Sequence, residues 1–270
     1  MSLTAPKDNT DPALHNLMQT RVGFGKAQYK IMSSMYAGNL VKGAMNLTLA
    51  ILLPIVRQLW ALSTLQESIG LSVIYAGMTV GILVQVLSDR LGRKKMLLAA
   101  LLLDLVTLLG FISWNWYSFV FFFFLTQASN TLTICTTLIY MTEITTIDHR
   151  STLFVKFGIF YLSGFAYICI FGYFLLTPQW WRYTAVVVYV PCLVAVGLYC
   201  CWSRETLQYL WARREGEKLE EVVDWMGREN NGEEFERVGV EEYINGEEGS
   251  YGKEGRNGEE GRNGEENRGN

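Results

Sequence analysis

Apolar residues occur in long blocks along this chain, and charged residues fall in short clusters between them. Blocks at about 31–56, 68–87, 96–113, 117–142, 153–176 and 184–202 are each long enough to cross a bilayer core as a helix, which takes about 20 residues. The block at 31–56 is interrupted by Asn39, Lys42 and Asn46. Connections such as Trp114-Asn115-Trp116-Tyr117 are so short that consecutive helices must be antiparallel neighbours. Pro54, Pro178 and Pro191 lie at or near block ends, where a missing backbone donor costs little or a bend is tolerated. The pattern predicts an all-α membrane protein with six transmembrane helices.

Charge sets the expected orientation. The segments 1–30, 88–95, 143–156 and 203–218 hold 14 Lys and Arg, whereas the other three connections hold only Arg57 and Arg182. Cationic loops stay on the cytoplasmic side, so both termini and the turn Ser88-Asp89-Arg90-Leu91-Gly92-Arg93-Lys94-Lys95 are expected there. Trp60, Trp114, Trp116, Trp180 and Trp181 fall at the opposite boundary, where amphipathic rings prefer to sit. The localisation implied is a multi-pass integral protein of the plasma membrane or an intracellular vesicle membrane.

Four regions follow: a cytoplasmic N-terminal segment 1–30, a six-span bundle 31–202, an amphipathic cytoplasmic helix 203–230 and a tail 231–270. In 203–230, Leu207, Leu210, Trp211, Leu219, Val222, Val223 and Trp225 recur at helical spacing among charges. The tail is rich in Glu, Gly, Asn and Arg, and its hexad Gly-Arg-Asn-Gly-Glu-Glu occurs at 255–260 and again at 261–266. With almost no apolar content, it is expected to be disordered. The overall charge of −3 comes from this tail and says nothing about a substrate. No cleavable signal peptide is expected, because residues 1–30 are polar and the first apolar block is long and begins late.

Enzyme chemistry finds no foothold. His15 and His149 are the only histidines, and no phosphate loop, nucleophile elbow or metal-ligand spacing is present. The five cysteines, Cys135, Cys169, Cys192, Cys200 and Cys201, all lie in predicted spans and read as small apolar packing residues. Neither a cofactor nor a metal is expected, and no basic domain suggests nucleic-acid binding.

The turn after the second span carries a family resemblance. Gln85-Val86-Leu87-Ser88-Asp89-Arg90-Leu91-Gly92-Arg93-Lys94-Lys95 resembles the loop G-x-L-x-D-R-x-G-R-K-K of the major facilitator superfamily, with Gln85 in place of the first Gly. Further matches point to its organic-ion transporter and synaptic-vesicle-glycoprotein-like branch. Gly23-Phe24-Gly25-Lys26-Ala27-Gln28 resembles "GFGxFQ"; Tyr140-x-x-Glu143 with Arg150 resembles the loop after span four. Trp181-Arg182-Tyr183 resembles "WRW", and Glu205 stands in the position of the acid in "P-E-S-x-R". The resemblance implies one six-span half of a twelve-span fold, moving small organic ions or related solutes by alternating access. In such a fold Asp89, Arg90, Gly92, Arg93 and Lys94 form a cytoplasmic latch, with Glu143, Arg150 and Glu205 in a charge network beside it. The other readings are a non-transporting scaffold or modulator, or a truncated product of a full-length transporter. A lone bundle of this kind is expected to need a second copy, or a full-length relative, to complete a cycle; its other partners are the lipid bilayer and a small organic solute.

Polar residues inside the spans form two stripes. Asn39, Lys42 and Asn46 share one face of the first span; Thr126, Asn130, Thr133 and Thr137 share one face of the fourth. The resemblance implies that these faces line the central cavity and offer a candidate substrate site. Interhelical hydrogen bonding is the competing reading for the fourth-span stripe. Thr126 is the nearest equivalent of the arginine that relatives carry there. Lys42 at mid-span needs a partner or water. Asp104 lies at similar depth, so Lys42 is expected to pair with it, to meet an anionic substrate, or to sit in another arrangement, including one in which either group is neutral.

Overall fold

The computed structural model describes residues 22–113, 115–145, 147–175 and 180–231, without the side chains of Asp89, Phe111, Ile112, Ile147, Asp148 and Leu175. Most of the predicted N-terminal segment, nearly all of the predicted tail and the Asp89 side chain lie outside the described residues. Among the described residues the secondary structure is helical, with no strand. The long helices are α1 (Lys26–Leu59), α2 (Thr64–Gln85), α3 (Arg93–Thr107), α4 (Trp116–Ile144), α5 (Ile147–Leu175), α6 (Thr184–Trp202) and α7 (Gly216–Asn231).

Short polar residues start α2 and α4, where backbone donors would otherwise be unpaired. Ser63 opens α2 with a reciprocal cap: its hydroxyl accepts the Gln66 N–H at 3.2 Å, and Gln66 Oε1 accepts the Ser63 N–H at 3.0 Å. Asn115 opens α4 by accepting the Ser118 N–H at 2.9 Å. Between α2 and α3 the chain makes one turn, Ser88–Leu91, and then Gly92 takes φ +97°, a conformation that strains any residue with a β-carbon.

Among the described residues, five helices are long and apolar enough to cross a membrane: α1, α2, α4, α5 and α6. The third predicted span is built differently. Its α-helix stops after 15 residues, at Thr107, and tightens into a five-residue 3₁₀ stretch, Leu108–Ile112. Pro54 and Pro191, expected near block ends, lie inside α1 and α6.

α2 packs chiefly on α4, α1 on α5 and α6, and α3 on α4 and α6. In their most apolar stretches α1 and α4 are 56% and 61% buried, against 22% for α2, which makes α1 and α4 the inner helices. Two crossings are so close that no side chain fits between backbones. A β-carbon on Gly43 of α1 would stand 2.0 Å from the Tyr161 carbonyl oxygen of α5, and one on Gly164 would stand 2.1 Å from the Leu40 carbonyl oxygen. Gly77 and Gly81 of α2 meet the Phe124 and Ala128 carbonyls of α4 in the same way. The core between helices is aliphatic and aromatic, with Leu49, Leu52, Phe119, Ile168 and Val188 almost fully buried. Trp60, Trp116, Phe119 and Trp181 close one end of it in edge-to-face and stacked contacts.

The segment predicted as one helix over 203–230 is instead two. A short helix, Leu207–Ala212, ends where Arg214 takes φ +54°. The Glu215 N–H bonds the Leu210 carbonyl at 3.1 Å and the Arg214 N–H bonds the Trp211 carbonyl at 3.0 Å. This pair of bonds is a Schellman stop, with an arginine where glycine is usual. The described residues from Leu210 onward, with the described residues before Lys26, form a separate compact unit. In it α7 buries Leu219, Val222, Val223 and Met226 along one face. Asn230 Nδ2 donates to the Val22 carbonyl at 3.0 Å.

Candidate functional site

The polar residues of α1 and α4 resolve into two arrangements inside the helix bundle. The first is a charge pair. Lys42 Nζ lies 2.5 Å from Asp104 Oδ2, and both side chains are 0% exposed. Lys42 also donates to Ser129 Oγ at 3.0 Å, and the Ser129 hydroxyl donates to the Ala100 carbonyl at 2.8 Å. Three helices thus share one ammonium: α1 supplies it, α3 the carboxylate, α4 the hydroxyl. A buried charge is tolerated only when paired and hydrogen-bonded, and here each condition is met for Lys42. Of the expectations for Lys42, the structure brings it to Asp104 and buries it away from any open surface.

The second arrangement is a chain of neutral groups. Asn46 Nδ2 donates to the Tyr161 hydroxyl of α5 at 2.7 Å, and Gln127 Nε2 of α4 donates to Asn46 Oδ1 at 3.4 Å. Asn130 Nδ2 in turn donates to Gln127 Oε1 at 3.5 Å. Asn46 and Tyr161 are half-buried, whereas Gln127 and Asn130 are buried. The third member of the α1 stripe faces elsewhere: Asn39 Nδ2 donates to the Phe157 carbonyl at 2.6 Å. On α4, Thr126 bonds its own helix at the Phe122 carbonyl, and Thr133 and Thr137 are buried. Among the described residues, Thr133 Oγ1 has no hydrogen-bond partner, and neither does Asn130 Oδ1.

The loop after α2 is tied to three helices at one end of the bundle. Arg93 Nε and Nη2 both donate to Glu143 Oε1, at 3.1 and 2.8 Å, and its guanidinium lies 5.9 Å from the centroid of the Tyr209 ring. Glu205 Oε1 accepts the Lys94 backbone N–H at 3.1 Å, a carboxylate at the positive end of α3. A β-carbon on Gly92 would stand 2.9 Å from Glu205 Oε2, a side-chain tip that can shift, so it is the φ of +97° that calls for glycine here. Tyr209 donates its hydroxyl to the Arg90 carbonyl at 3.3 Å. Arg150 Nη2 reaches the Thr142 carbonyl at 2.9 Å. The sequence-predicted residues Arg90, Gly92, Arg93, Lys94, Glu143 and Glu205 are therefore neighbours.

Several participants escape sequence reading. Ser129, Gln127 and Tyr161 complete the two intramembrane arrangements, and only Gln127, one turn from Asn130 and Thr131, had a visible signal in the polar spacing of α4. Tyr140 donates its hydroxyl to the Arg204 carbonyl, and Tyr199 to the Lys94 carbonyl at 3.1 Å. Gln85, the departure from the loop pattern, accepts the Thr136 hydroxyl at 2.5 Å and so joins α2 to α4.

Comparison with known proteins agrees with this fold. Residues 19–241 match the family model of the Major Facilitator Superfamily. The chain is 29% identical over 148 residues to Solute carrier family 22 member 16 of Bos taurus, a match covering 53% of this chain and 25% of that relative. Its fold resembles a solved proton:xylose symporter of the same superfamily, bound to 6-bromo-6-deoxy-D-glucose, with a TM-score of 0.66 at 16% identity. That likeness covers 76% of this chain and 50% of the symporter, so the chain spans a quarter to a half of these relatives. With its helical membrane bundle, its cationic loop and a family match over most of its length, the chain belongs to the Major Facilitator Superfamily.

Proposed function

We propose that this bundle is one wall of a solute path in a membrane transporter that works by alternating access, and that small organic ions or related polar solutes meet it at Asn46 and Tyr161. The observation that carries the reading is the hydrogen-bonded chain Tyr161–Asn46–Gln127–Asn130, which joins α5, α1 and α4 and ends on half-buried side chains, unlike the fully buried Lys42–Asp104 pair. Packing alone has little use for four linked side chains at these depths, because each must be desolvated first. Its half-buried end offers an amide and a phenol, groups that donate and accept. The mid-span charges neutralise each other, so this wall would contribute hydrogen bonds to a solute rather than a net charge.

Alternating access rocks one bundle against another around a site between them, and the described residues form one bundle. A second copy of this chain or a full-length relative would supply the facing wall. The cationic loop would lie on the cytoplasmic side with both termini, as the distribution of Lys and Arg favours. The loop, held through Arg93, Glu143 and Glu205, would latch that side of the bundle during the cycle.

Uptake by reconstituted protein tests this directly. Purified chain in liposomes, as a cross-linked dimer, as a verified monomer and together with a full-length relative, is offered a panel of labelled organic cations, anions, zwitterions and sugars. The expected result is saturable uptake only where two bundles are present, reduced at least tenfold by Asn46→Leu. Uptake by the monomer would overturn the two-bundle requirement. Uptake untouched by Asn46→Leu and Tyr161→Phe would remove these residues from the path. No uptake by any assembly, with the relative's own activity altered by this chain, would make it a modulator instead.

A further inference from the structure

The end of α6 beside the cationic loop carries chemistry that the solute path does not use. α6 turns Thr184, Val188, Cys192, Ala195 and Tyr199 into the bundle at intervals of three and four residues. Cys200 and Cys201 follow directly, about 100° and 200° further round the helix, and both are exposed. Their depth is fixed by two hydrogen bonds: Tyr199 donates to the Lys94 carbonyl, and the Lys94 N–H donates to Glu205. The thiols therefore stand level with the cationic loop, where hydrocarbon gives way to headgroups, and Trp202 and Arg204 come next in the chain.

The flank behind them suits an acyl chain. Gly197, one turn back from Cys201, has open space where a β-carbon would be, and Val194, Val190 and Val186 continue the same face, all exposed. A chain attached at Cys201 would lie along this bared strip of helix among the lipid tails. Exposed cysteines beside the end of a membrane helix are positions where reversible fatty acylation occurs.

We propose that Cys200 and Cys201 form an S-acylation site that takes a long-chain fatty acyl group of the palmitoyl class. The inference rests on the reading that this end of the bundle is cytoplasmic. The reaction is thioester exchange with a fatty acyl-coenzyme A, delivered by a membrane acyltransferase. The cysteine sulfur attacks the acyl carbonyl carbon and forms the new C–S bond; the C–S bond to coenzyme A breaks. Coenzyme A leaves as its thiol with the proton the cysteine gave up, and nothing is oxidised or reduced. The product ties the last span to the inner leaflet beside the loop. Cys169 of α5 is an internal control: it is also exposed but lies toward the opposite end of the bundle.

The test uses the whole chain expressed in cells fed an alkyne analogue of palmitate. Label should appear on the wild type, be released by neutral hydroxylamine, fall in Cys200→Ser and Cys201→Ser, vanish in the double variant and persist in Cys169→Ser. Serine is close in size to cysteine and both sites are exposed, so an intact size-exclusion profile is expected for each variant. No label on inserted wild type, or label that survives in the double variant, would overturn the proposal. A membrane-impermeant maleimide on intact cells separates the two readings. Reaction at Cys200 or Cys201 from outside would overturn the topology and the site together, whereas protected thiols without label would overturn acylation alone.

Discussion

Gly43 of α1 and Tyr161 of α5 are joined twice over: the glycine lies against the Tyr161 backbone carbonyl, and one turn along α1 Asn46 donates to the Tyr161 hydroxyl. The close approach of the two backbones is what brings the phenol within reach of the amide. Gly164 makes the reciprocal contact with α1 at Leu40. A side chain at either glycine must push the helices apart, because the obstacle is backbone rather than a movable side-chain tip.

Gly43→Val and Gly164→Val are accordingly expected to leave little folded protein after detergent extraction, read as loss of the monodisperse size-exclusion peak. Gly158 of α5 has open space around it, and Gly158→Ala should be neutral or stabilising by up to about 1 kcal/mol, since alanine is the better helix former. Equal behaviour of the three variants would contradict the crossing.

The Lys42–Asp104 pair makes a different kind of prediction. Removing one partner leaves an uncompensated buried charge, so Lys42→Met or Asp104→Leu should each cost about 3–5 kcal/mol. The double variant should recover most of that loss, because two apolar side chains of similar size replace a pair that had to be desolvated. Denaturant titration of the detergent-solubilised protein measures this, and an additive double variant would show that the two charges do not depend on each other.

Arg93 meets Glu143 with two donors on one oxygen, a fork that lysine cannot reproduce. Arg93→Lys keeps the charge and should still lose about 1.5–3 kcal/mol. Combining it with Glu143→Gln should give less than the sum of the two losses, with a coupling of about 0.5–3 kcal/mol. A coupling near zero would detach the loop from α4.

Orientation can be read by labelling. In a background lacking the exposed native cysteines, Lys95→Cys should react with an impermeant maleimide only after permeabilisation, and Gln66→Cys in intact cells. The reverse pattern would invert the topology inferred from Lys and Arg.

Much of the helical layout is visible in the chain alone, because blocks of about twenty apolar residues leave the backbone no other way to satisfy its polar groups in lipid. The partnership of Lys42 with Asp104 was also within reach, since depth along two spans can be counted. Ser129 was not: an isolated serine is silent until the approach of α3 to α4 sets it between an ammonium and the Ala100 carbonyl. The break after Ala212 was hidden for a local reason, in that Arg214 holds a backbone conformation that sequence reading reserves for glycine. Asn39 and Asn46 look equivalent in a stripe, yet one binds a backbone carbonyl and the other a phenol. That distinction depends on which turn of α5 crosses each of them.

The buried ammonium and carboxylate also have a consequence for membrane voltage. A unit charge carried across 100 mV exchanges about 2.3 kcal/mol with the field. Lys42 and Asp104 sit at one depth and must travel together, so a tilt of the bundle moves a short dipole and almost no net charge. The resting potential would therefore neither drive nor resist that motion through this pair. Under the proposed alternating-access reading, electrogenic behaviour would have to come from groups other than this pair.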